Sequence, residues 1–257
     1  MFSSSPKSVS IIQYATTICA LVGLYFFNFT LQSYLLILLG YFLYSGIGVS
    51  MTLHRYYTHK SFEFKHPIIQ WIATWFALMA GRGGIIGWVY IHRMHHAFSD
   101  TDKDPHVTNF NLKGMFFPSY KNFDKNINLK LVRDLLKRQY TNMDKYYNLL
   151  ILVWILFLLC IDIELLYFGW IIPVALTHLI LNSFIYVGHL AGYKNHDHRD
   201  ESKNLWIYGI LFWGEGWHNN HHSNAKNFSM QEKWWEIDII AQVIKLIKKN
   251  DKDLNHA

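Results

Sequence analysis

Eight of the fifteen histidines in this 257-residue chain fall into three tight groups along the sequence. The groups read His-Arg-Tyr-Tyr-Thr-His, His-Arg-Met-His-His and His-Asn-Asn-His-His, and their histidines are His54, His59, His92, His95, His96, His218, His221 and His222. Imidazole is a common ligand of transition metals, and one ion accepts only about four to six donors. Eight clustered imidazoles are too many for one ion, so the pattern predicts a pair of ions.

The spacing within the groups decides which histidines can act together. In the second and third groups, histidines three and four positions apart share one face of an α-helix, and neighbouring ones diverge enough to serve two adjacent ions. His54 and His59 are five apart and share no such face. We therefore expect this pair where a membrane helix ends and its last turn unwinds. A single His-x-x-His-His is also typical of a polar helix face. Three histidine groups at the ends of membrane segments favour a functional site instead.

The donor set favours redox-active metals over zinc. Catalytic zinc sites keep about three protein ligands, and the chain contains no His-Glu-x-x-His. A carboxylate di-iron bundle needs two Glu-x-x-His pairs, and only Glu215-Gly-Trp-His218 has that spacing. An all-nitrogen pair of ions remains. Iron is the preferred candidate because zinc has no redox chemistry.

Long apolar segments must position these groups, since 51% of the residues are hydrophobic. Segments of this length and composition predict four membrane spans, at residues 11–29, 31–53, 148–163 and 165–190. The two short turns between them carry no Lys or Arg, whereas residues 93–145 carry ten. The positive-inside rule then places both termini and a cap formed by 54–147 and 191–257 on the cytoplasmic side.

Residues 68–80 are apolar but number only thirteen, which favours an interfacial or re-entrant helix over a span. A crossing at this point would also separate His54 from His92. The expected fold is therefore all-α and integral to the membrane, with four transmembrane helices in two hairpins, interfacial helices, and a cytoplasmic helical cap that carries a histidine-rich di-metal site. We expect one domain over residues 1–257.

The net charge of +6 does not indicate nucleic-acid binding, because the lysines flank apolar segments, as is typical of an anionic membrane face. The two cysteines, Cys19 and Cys160, lie inside apolar segments, so no disulfide framework is expected.

From about Gly46 to Asp238 the chain resembles membrane fatty-acid desaturases of the acyl-CoA Δ9 (stearoyl-CoA) type. The resemblance is carried by the three histidine boxes in this order, by the Asp-Thr-Asp-Lys-Asp-Pro-His that follows the second, and by Trp234-Trp-Glu-Ile-Asp238 after the third. It implies two iron ions held by nine histidines, with His189 as the ninth, and O₂ as co-substrate. The family has an asparagine four residues before the ninth histidine, which reaches a metal through water. That position here is Ile185, and Asn182 lies one turn further away on the same helix face.

The family's reaction removes two hydrogens from a saturated acyl chain and leaves a cis double bond. It implies a separate electron-donor protein of the ferredoxin, rubredoxin or cytochrome b5 type, and a substrate that is either a fatty acyl-CoA or an acyl-lipid. The protein must hold the acyl chain in a dry channel with one methylene pair at the metals. Trp88, Thr74 and Trp75 are the predicted wall of that channel, and Trp88 matches a family position four residues before the second box.

Two other functions compete with desaturation. A fatty acyl or alkane hydroxylase would use the same kind of site and insert oxygen instead. A membrane metal-binding or transport protein would carry ionisable groups near the middle of its spans. Here the histidine groups lie at span ends, which favours an enzyme.

Residues around the boxes have predicted supporting roles. Asp100, Asp102 and Asp104 read either as residues that orient ligand imidazoles or as a solvated acidic turn. In the first reading, Arg93 is expected to pair with one of them. His106 reads either as a supporting residue or as a surface residue, and His178 as a hydrogen-bonding residue of the helix bundle. Six basic residues between the second box and the third span either hold the phosphates of CoA or a lipid headgroup or simply set the topology; they are Lys113, Lys121, Lys125, Arg133, Lys137 and Arg138.

Overall fold

The computed structural model describes residues 6–106 and 128–250, and within these ranges every regular element is helical. The helices are α1 (Pro6–Phe26), α2 (Leu31–Thr58), α3 (Pro67–Met79), α4 (Ile85–Phe98), α5 (Arg138–Lys145), α6 (Tyr147–Ile161), α7 (Ile163–Val187), α8 (Trp206–Leu211), α9 (His218–Ser223) and α10 (Ile239–Ile247). A 3₁₀ helix, Leu129–Leu135, precedes α5.

Among the described residues, three helices are long and apolar enough to cross a membrane: Ser8–Phe26 within α1, α2, and α7. Helices α5 and α6 make a fourth crossing only if they are counted as one span with a 67° bend. The predicted spans at 11–29, 31–53 and 165–190 therefore correspond to α1, α2 and α7 with shifted ends. The predicted span at 148–163 falls on α6, which has 15 residues.

Polar caps fix the two tight turns between these helices. Thr30 and Ser33 form a reciprocal capping box at the start of α2. At the second turn, the Asp162 carboxylate accepts hydrogen bonds from the backbone N–H groups of Glu164 and Leu165. Asp162, in the turn between the last two predicted spans, is thus the N-cap of α7.

Helix α2 widens in its second half, where Phe42–Thr58 is a π-helix. The His59 N–H donates to the carbonyl of His54 at 3.2 Å, and the Thr58 hydroxyl donates to the carbonyl of Leu53 at 2.8 Å. Hydrogen bonds that reach back to the carbonyl five residues earlier bring side chains with that spacing close together on the helix. The prediction that the last turn unwinds is therefore wrong, because the helix widens instead. The ring centroids of His54 and His59 lie 4.8 Å apart.

Helices α3 and α4 form a hairpin that returns the chain to the end of α2. Thr74 of α3 meets the Tyr57 hydroxyl, and Phe76 further along lies against Gly48. The chain reverses through residues 80–84, where Gly81 and Gly83 have φ values of 75° and 95° that other residues rarely adopt. Because α4 then runs back, His92 lies beside His54, with ring centroids 4.5 Å apart. At 13 residues, α3 is shorter than the helices that are long enough to cross a membrane.

Candidate metal centre

The structure gathers nine histidines into two adjacent clusters. In the first cluster the ligand nitrogens all lie within 4.8 Å of one another, and its members are His54, His59, His92, His96 and His221. The second cluster meets the same limit with His95, His189, His218 and His222. These are the nine histidines that the sequence and the family resemblance predicted, divided into five and four.

Two short helical segments supply both clusters at once. On α4, His96 faces the five-histidine cluster while its neighbour His95 faces the four-histidine cluster. On α9 the arrangement is reversed, since His221 joins the five and His222 joins the four. Adjacent helix positions point about 100° apart, so one helix can serve two neighbouring ions.

The distances between ring nitrogens fit metal ligation. The Nε2 atom of His221 lies 3.1 Å from that of His54 and 3.0 Å from that of His96, and the Nε2 atoms of His189 and His218 lie 3.1 Å apart. Two nitrogens that each lie about 2.1 Å from one ion, at right angles, are about 3.0 Å apart. The clusters therefore have the spacing of donors that share an ion.

The charge state of the rings also suits a metal. Burial, and after it the neighbouring imidazoles, hold the pKa of six of these histidines well below the ordinary value; they are His59, His92, His96, His218, His221 and His222. A neutral imidazole keeps the lone pair that binds a metal. The Nε2 atoms of His59 and His222 are buried and have no hydrogen-bond partner among the described residues. Two unsatisfied buried nitrogens inside such clusters are what an ion would satisfy.

Carboxylates bind the outward-facing nitrogen of four of these rings. Asp104 lies 3.0 Å from Nδ1 of His95, Asp100 lies 3.0 Å from Nδ1 of His189, and Asp200 lies 2.9 Å from Nδ1 of His222. Glu215 pairs in the same way with Nδ1 of His54. A carboxylate that accepts from Nδ1 fixes the ring so that Nε2 carries the free lone pair.

The expected orienting role is thus confirmed for Asp100 and Asp104. Asp102 is exposed, and its orienting role stays a prediction. The roles of Glu215 and Asp200 were missed. Glu215 stands inside the third box, where it was weighed only as a metal ligand, and Asp200 gave no spacing signal because its partner is twenty-two residues away.

A buried ionic group supports the Glu215 carboxylate. Arg55 lies between Glu215, at 3.0 Å, and Asp238, at 2.9 Å, and all three side chains are at most 6% exposed. Burial favours a raised pKa for Glu215, but its contacts with His54 and Arg55 outweigh burial and lower the pKa to about 2. Asp238 also accepts from the Ala241 N–H at the start of α10. The first box is thereby tied to the end of the Trp234–Asp238 motif.

Arg93 does not pair with the acidic residues after the second box. Its guanidinium binds Asp134 at 2.7 and 3.1 Å, and it donates to the carbonyls of Tyr57 and Thr58. The prediction was wrong because positions two apart on a helix point to nearly opposite sides. Arg93 therefore faces away from His95 and its carboxylate partner.

A second buried polar cluster lies beside the histidines. The Arg82 guanidinium is 2.8 Å from Nδ1 of His178 and donates to the amide oxygen of Asn182 at 3.2 Å. The hydrogen-bonding role predicted for His178 is confirmed, while the water-mediated role of Asn182 stays a prediction. The ring of His106 packs 4.8 Å from that of His95, so His106 supports the centre and is not a surface residue.

An apolar cavity leads to the centre. Its walls include Val49, Ile91, Leu181, Phe184 and Phe212, and it reaches five cluster residues, namely His54, His92, His95, His189 and His218. Trp88 lines this cavity and stacks on His92, with ring centroids 5.0 Å apart.

The other two predicted wall residues have protein neighbours of their own. The Thr74 hydroxyl lies 2.8 Å from that of Tyr57, and Trp75 packs edge-to-face on Trp154. Their contact with substrate stays a prediction. Of the basic segment, Lys113, Lys121 and Lys125 lie outside the described residues.

These observations define a helical protein with membrane-spanning segments, two adjacent imidazole clusters and an apolar cavity that opens onto them. The family model described as fatty acid desaturase matches residues 28–227. The chain therefore belongs to the fatty acid desaturase family.

Characterised relatives cover most of its length. The sn-1 stearoyl-lipid 9-desaturase of Anabaena variabilis is 30% identical, over 86% of this chain and 82% of its own length. The Delta-9 acyl-lipid desaturase 1 of Arabidopsis thaliana is 31% identical, over 86% and 74%. The sn-2 palmitoyl-lipid 9-desaturase of Nostoc is 32% identical, over 89% and 82%. The chain is accordingly a membrane fatty acyl desaturase, an oxidoreductase of lipid metabolism.

Proposed function

We propose that this desaturase holds two iron ions with its nine clustered histidines and uses O₂ and two electrons to place a cis double bond in a saturated acyl chain. One observation carries the proposal: the nine imidazoles divide into adjacent groups of five and four, each with the nitrogen spacing of a shared ion. Bound iron supplies the oxidising chemistry that an unactivated C–H bond requires. Iron is preferred because the cluster donors are all nitrogen and zinc has no redox chemistry.

The protein's own residues position the substrate and exclude water. The apolar cavity presents Trp88, Ile91 and Phe184 to an acyl chain, and it ends at histidines of both clusters. Holding one methylene pair there replaces a random encounter by a fixed geometry, which contributes to the rate in any such reaction. Trp88, stacked on His92, is the proposed wall residue next to the reacting carbons, with Thr74 and Trp75 further along the channel. Asn182 is retained as a proposed ligand through water.

The substrate proposed is a C16–C18 acyl chain desaturated between carbons 9 and 10. The relatives quoted above bear names that specify position 9 on stearoyl or palmitoyl chains of lipids. An acyl-CoA 5-desaturase of Anemone leveillei is also 31% identical. We therefore favour an acyl-lipid substrate, with acyl-CoA as the alternative that the sequence resemblance gave first.

The membrane arrangement proposed has four crossings in two hairpins, with the bent α5–α6 pair as the third. Residues 1–257 form one domain, and the histidine clusters and both termini lie on the cytoplasmic side. The lysine and arginine distribution supports this orientation. Electrons come from a separate protein of the ferredoxin, rubredoxin or cytochrome b5 type.

The test is the fatty-acid composition of a desaturase-deficient host that expresses the chain, measured by gas chromatography and mass spectrometry. Wild type is expected to yield a 9-monounsaturated acyl chain and His218→Ala none, while His66→Asn, at an exposed helix cap outside both clusters, behaves as wild type. An alcohol product would assign a hydroxylase instead. Unsaturated lipids that are unchanged in His218→Ala would overturn the proposal.

A further inference from the structure

A second, polar opening leads to the histidine clusters. The residues that line this polar cleft are His96, His196, Asp197, His198, Arg199, Asp200, His222 and Ser223. Asp197, Arg199 and Ser223 are exposed, so the cleft opens outward at a rim of polar side chains. Among the described residues, the walls of the apolar cavity include neither His96 nor His222. The two openings therefore reach different members of the nine.

The floor of the polar cleft belongs to both clusters. His96 is one of the five histidines and His222 is one of the four, and their rings stack with centroids 4.4 Å apart. The His222 side chain is only 1% exposed, and its Nε2 atom has no hydrogen-bond partner among the described residues. A buried nitrogen in this state is satisfied when it binds an ion. An ion that moves down the cleft would therefore meet one ligand of each cluster.

Asp200 connects the middle of the cleft to its floor. One of its carboxylate oxygens lies 3.3 Å from Nδ1 of His198, and the other lies 2.9 Å from Nδ1 of His222. The His198 side chain is 20% exposed, and its ring is nearly parallel to that of His222. Asp200, Asp100 and His189 also place ligand atoms within 4.8 Å of one another. Carboxylate and imidazole donors thus follow one another from the partly exposed His198 to the buried clusters.

The charges that line the cleft favour a cation. Two carboxylates, Asp197 and Asp200, stand against one guanidinium, and that guanidinium of Arg199 is directed to the carbonyl of His96 at 2.7 Å. A cleft with a surplus of one charge raises the local concentration of ions of the opposite charge. Divalent iron accepts both imidazole and carboxylate ligands, so a donor of the cleft can replace each water that the ion loses.

The apolar cavity is the less favourable path for an ion. Its walls are mostly hydrophobic, and the buried cation Arg82 is one of its lining residues. A charge that enters apolar surroundings loses its hydration without compensation, and that loss is costly. The acyl chain and the metal therefore have separate approaches to the same histidines.

We propose that divalent iron enters both clusters through the polar cleft, with Asp197 as the carboxylate that attracts the ion at the rim and His198 and Asp200 as ligands in transit. The inference rests on the proposed function and adds the route by which its metal arrives. Asp197 belongs to neither cluster, so its charge acts on the passage of the ion and not on the final complex. Its replacement should change the rates of loading and release by the same factor and leave the affinity unchanged.

The experiment uses the full, untagged chain in nanodiscs of phosphatidylcholine, freed of metal by a chelator, with Co²⁺ alone as the probe. Stopped-flow visible absorbance follows the formation of imidazole-bound Co²⁺, a chelator chase gives the release rate, and titration gives the affinity. At low salt, Asp197→Lys is expected to slow loading roughly three- to tenfold and Arg199→Gln to accelerate it roughly two- to threefold. Both effects shrink at high salt. Ser223→Trp narrows the rim and slows loading at any salt concentration.

The matched control is Glu63→Lys, which makes the same change of charge at an exposed position that does not line the cleft and should load at the wild-type rate. Wild-type loading rates in both Asp197→Lys and Ser223→Trp would overturn the entry route, as would equal slowing by Glu63→Lys. Slower loading with an unchanged release rate would overturn it too, because the variant would then have damaged the clusters themselves. Failure of the proposed function is separate: it appears as the absence of alkene product from wild-type cells, whereas Co²⁺ loading requires neither O₂ nor electrons.

Discussion

His95 and His96 are neighbours in the chain, yet their rings lie in different clusters, with centroids 5.7 Å apart and planes at 74°. Helix α4 thus divides its histidines between the two clusters within one peptide unit. The same division on α9 separates His221 from His222. The clusters are therefore interlocked through two short helices.

The two neighbours should differ in how much metal their loss releases. His95→Ala leaves three imidazoles in its cluster, whereas His96→Ala leaves four. We expect His95→Ala to retain less iron per chain, measured by inductively coupled plasma mass spectrometry after purification. Removal of His196, a half-buried histidine that pairs with Glu232 and belongs to neither cluster, is the control and should leave the iron content unchanged. Greater metal loss from His96→Ala would contradict the assignment of the clusters.

The carboxylates behind the rings should control metal affinity without binding metal themselves. Asp104→Asn and Asp200→Asn keep the size of the side chain and remove the charge that orients His95 and His222. Loss of such a partner typically weakens metal binding by about 10- to 100-fold. Competition with a chelator of known affinity measures the change. Asp197→Asn, exposed and next to the same segment, should leave the affinity intact, and an equal effect there would argue against a specific orienting role.

The buried Arg55 group should be a large contribution to stability. Arg55→Met leaves Glu215 and Asp238 buried without their cation, and breaking a buried pair in this way typically costs about 3–5 kcal/mol. The Lys60–Asp134 pair has an exposed lysine, so Lys60→Met should cost less than about 1 kcal/mol. The melting temperatures of the two variants are compared in detergent, after a chelator has removed any bound metal. Equal decreases in melting temperature in Arg55→Met and Lys60→Met would contradict the prediction that the buried ionic group stabilises the contact between the first box and α10.

The start of α4 should not tolerate a side chain at Gly84. A Cβ there would lie 2.4 Å from the Asp144 carboxylate, which accepts hydrogen bonds from the N–H groups of Ile86 and Gly87. Gly84→Ala is expected to displace α4 and lower both folded yield and metal content. Gly169→Ala is the matched control, because the new methyl would meet only the flexible Leu165 side chain. Size-exclusion profiles together with metal analysis score both variants, and a fully metallated Gly84→Ala would refute this packing.

The clustering of the histidines was predictable because its signal is local. Histidines three and four apart on a helix must point together, and the family resemblance supplied His189 outside the boxes. The carboxylate Asp104 was also predictable, since its partner His95 is nine residues away. Asp100 was predictable only as a residue near the second box, because its partner His189 is 89 residues away. Asp200, Asp134 and Asp238 were not, because each meets its partner across more than twenty residues of chain.

The geometry of the first box shows a different limit of prediction from the sequence. A spacing of five residues fits neither an α-helix nor a strand, so the sequence pattern predicted an unwound turn. The continuous π-helix depends on the packing of α2 against its neighbours, including the close approach of Gly48 to the backbone of α3 at Phe76. Local spacing carries no information about such tertiary contacts.

The interlocking of α4 and α9 also has a consequence for assembly. The first ion to bind would immobilise both helices, and the second would then meet histidines whose conformational freedom has already been lost. Loading should therefore be cooperative, so that scarce iron divides the population into empty and doubly filled molecules. Native mass spectrometry under limiting iron would reveal this as a deficit of singly occupied chains.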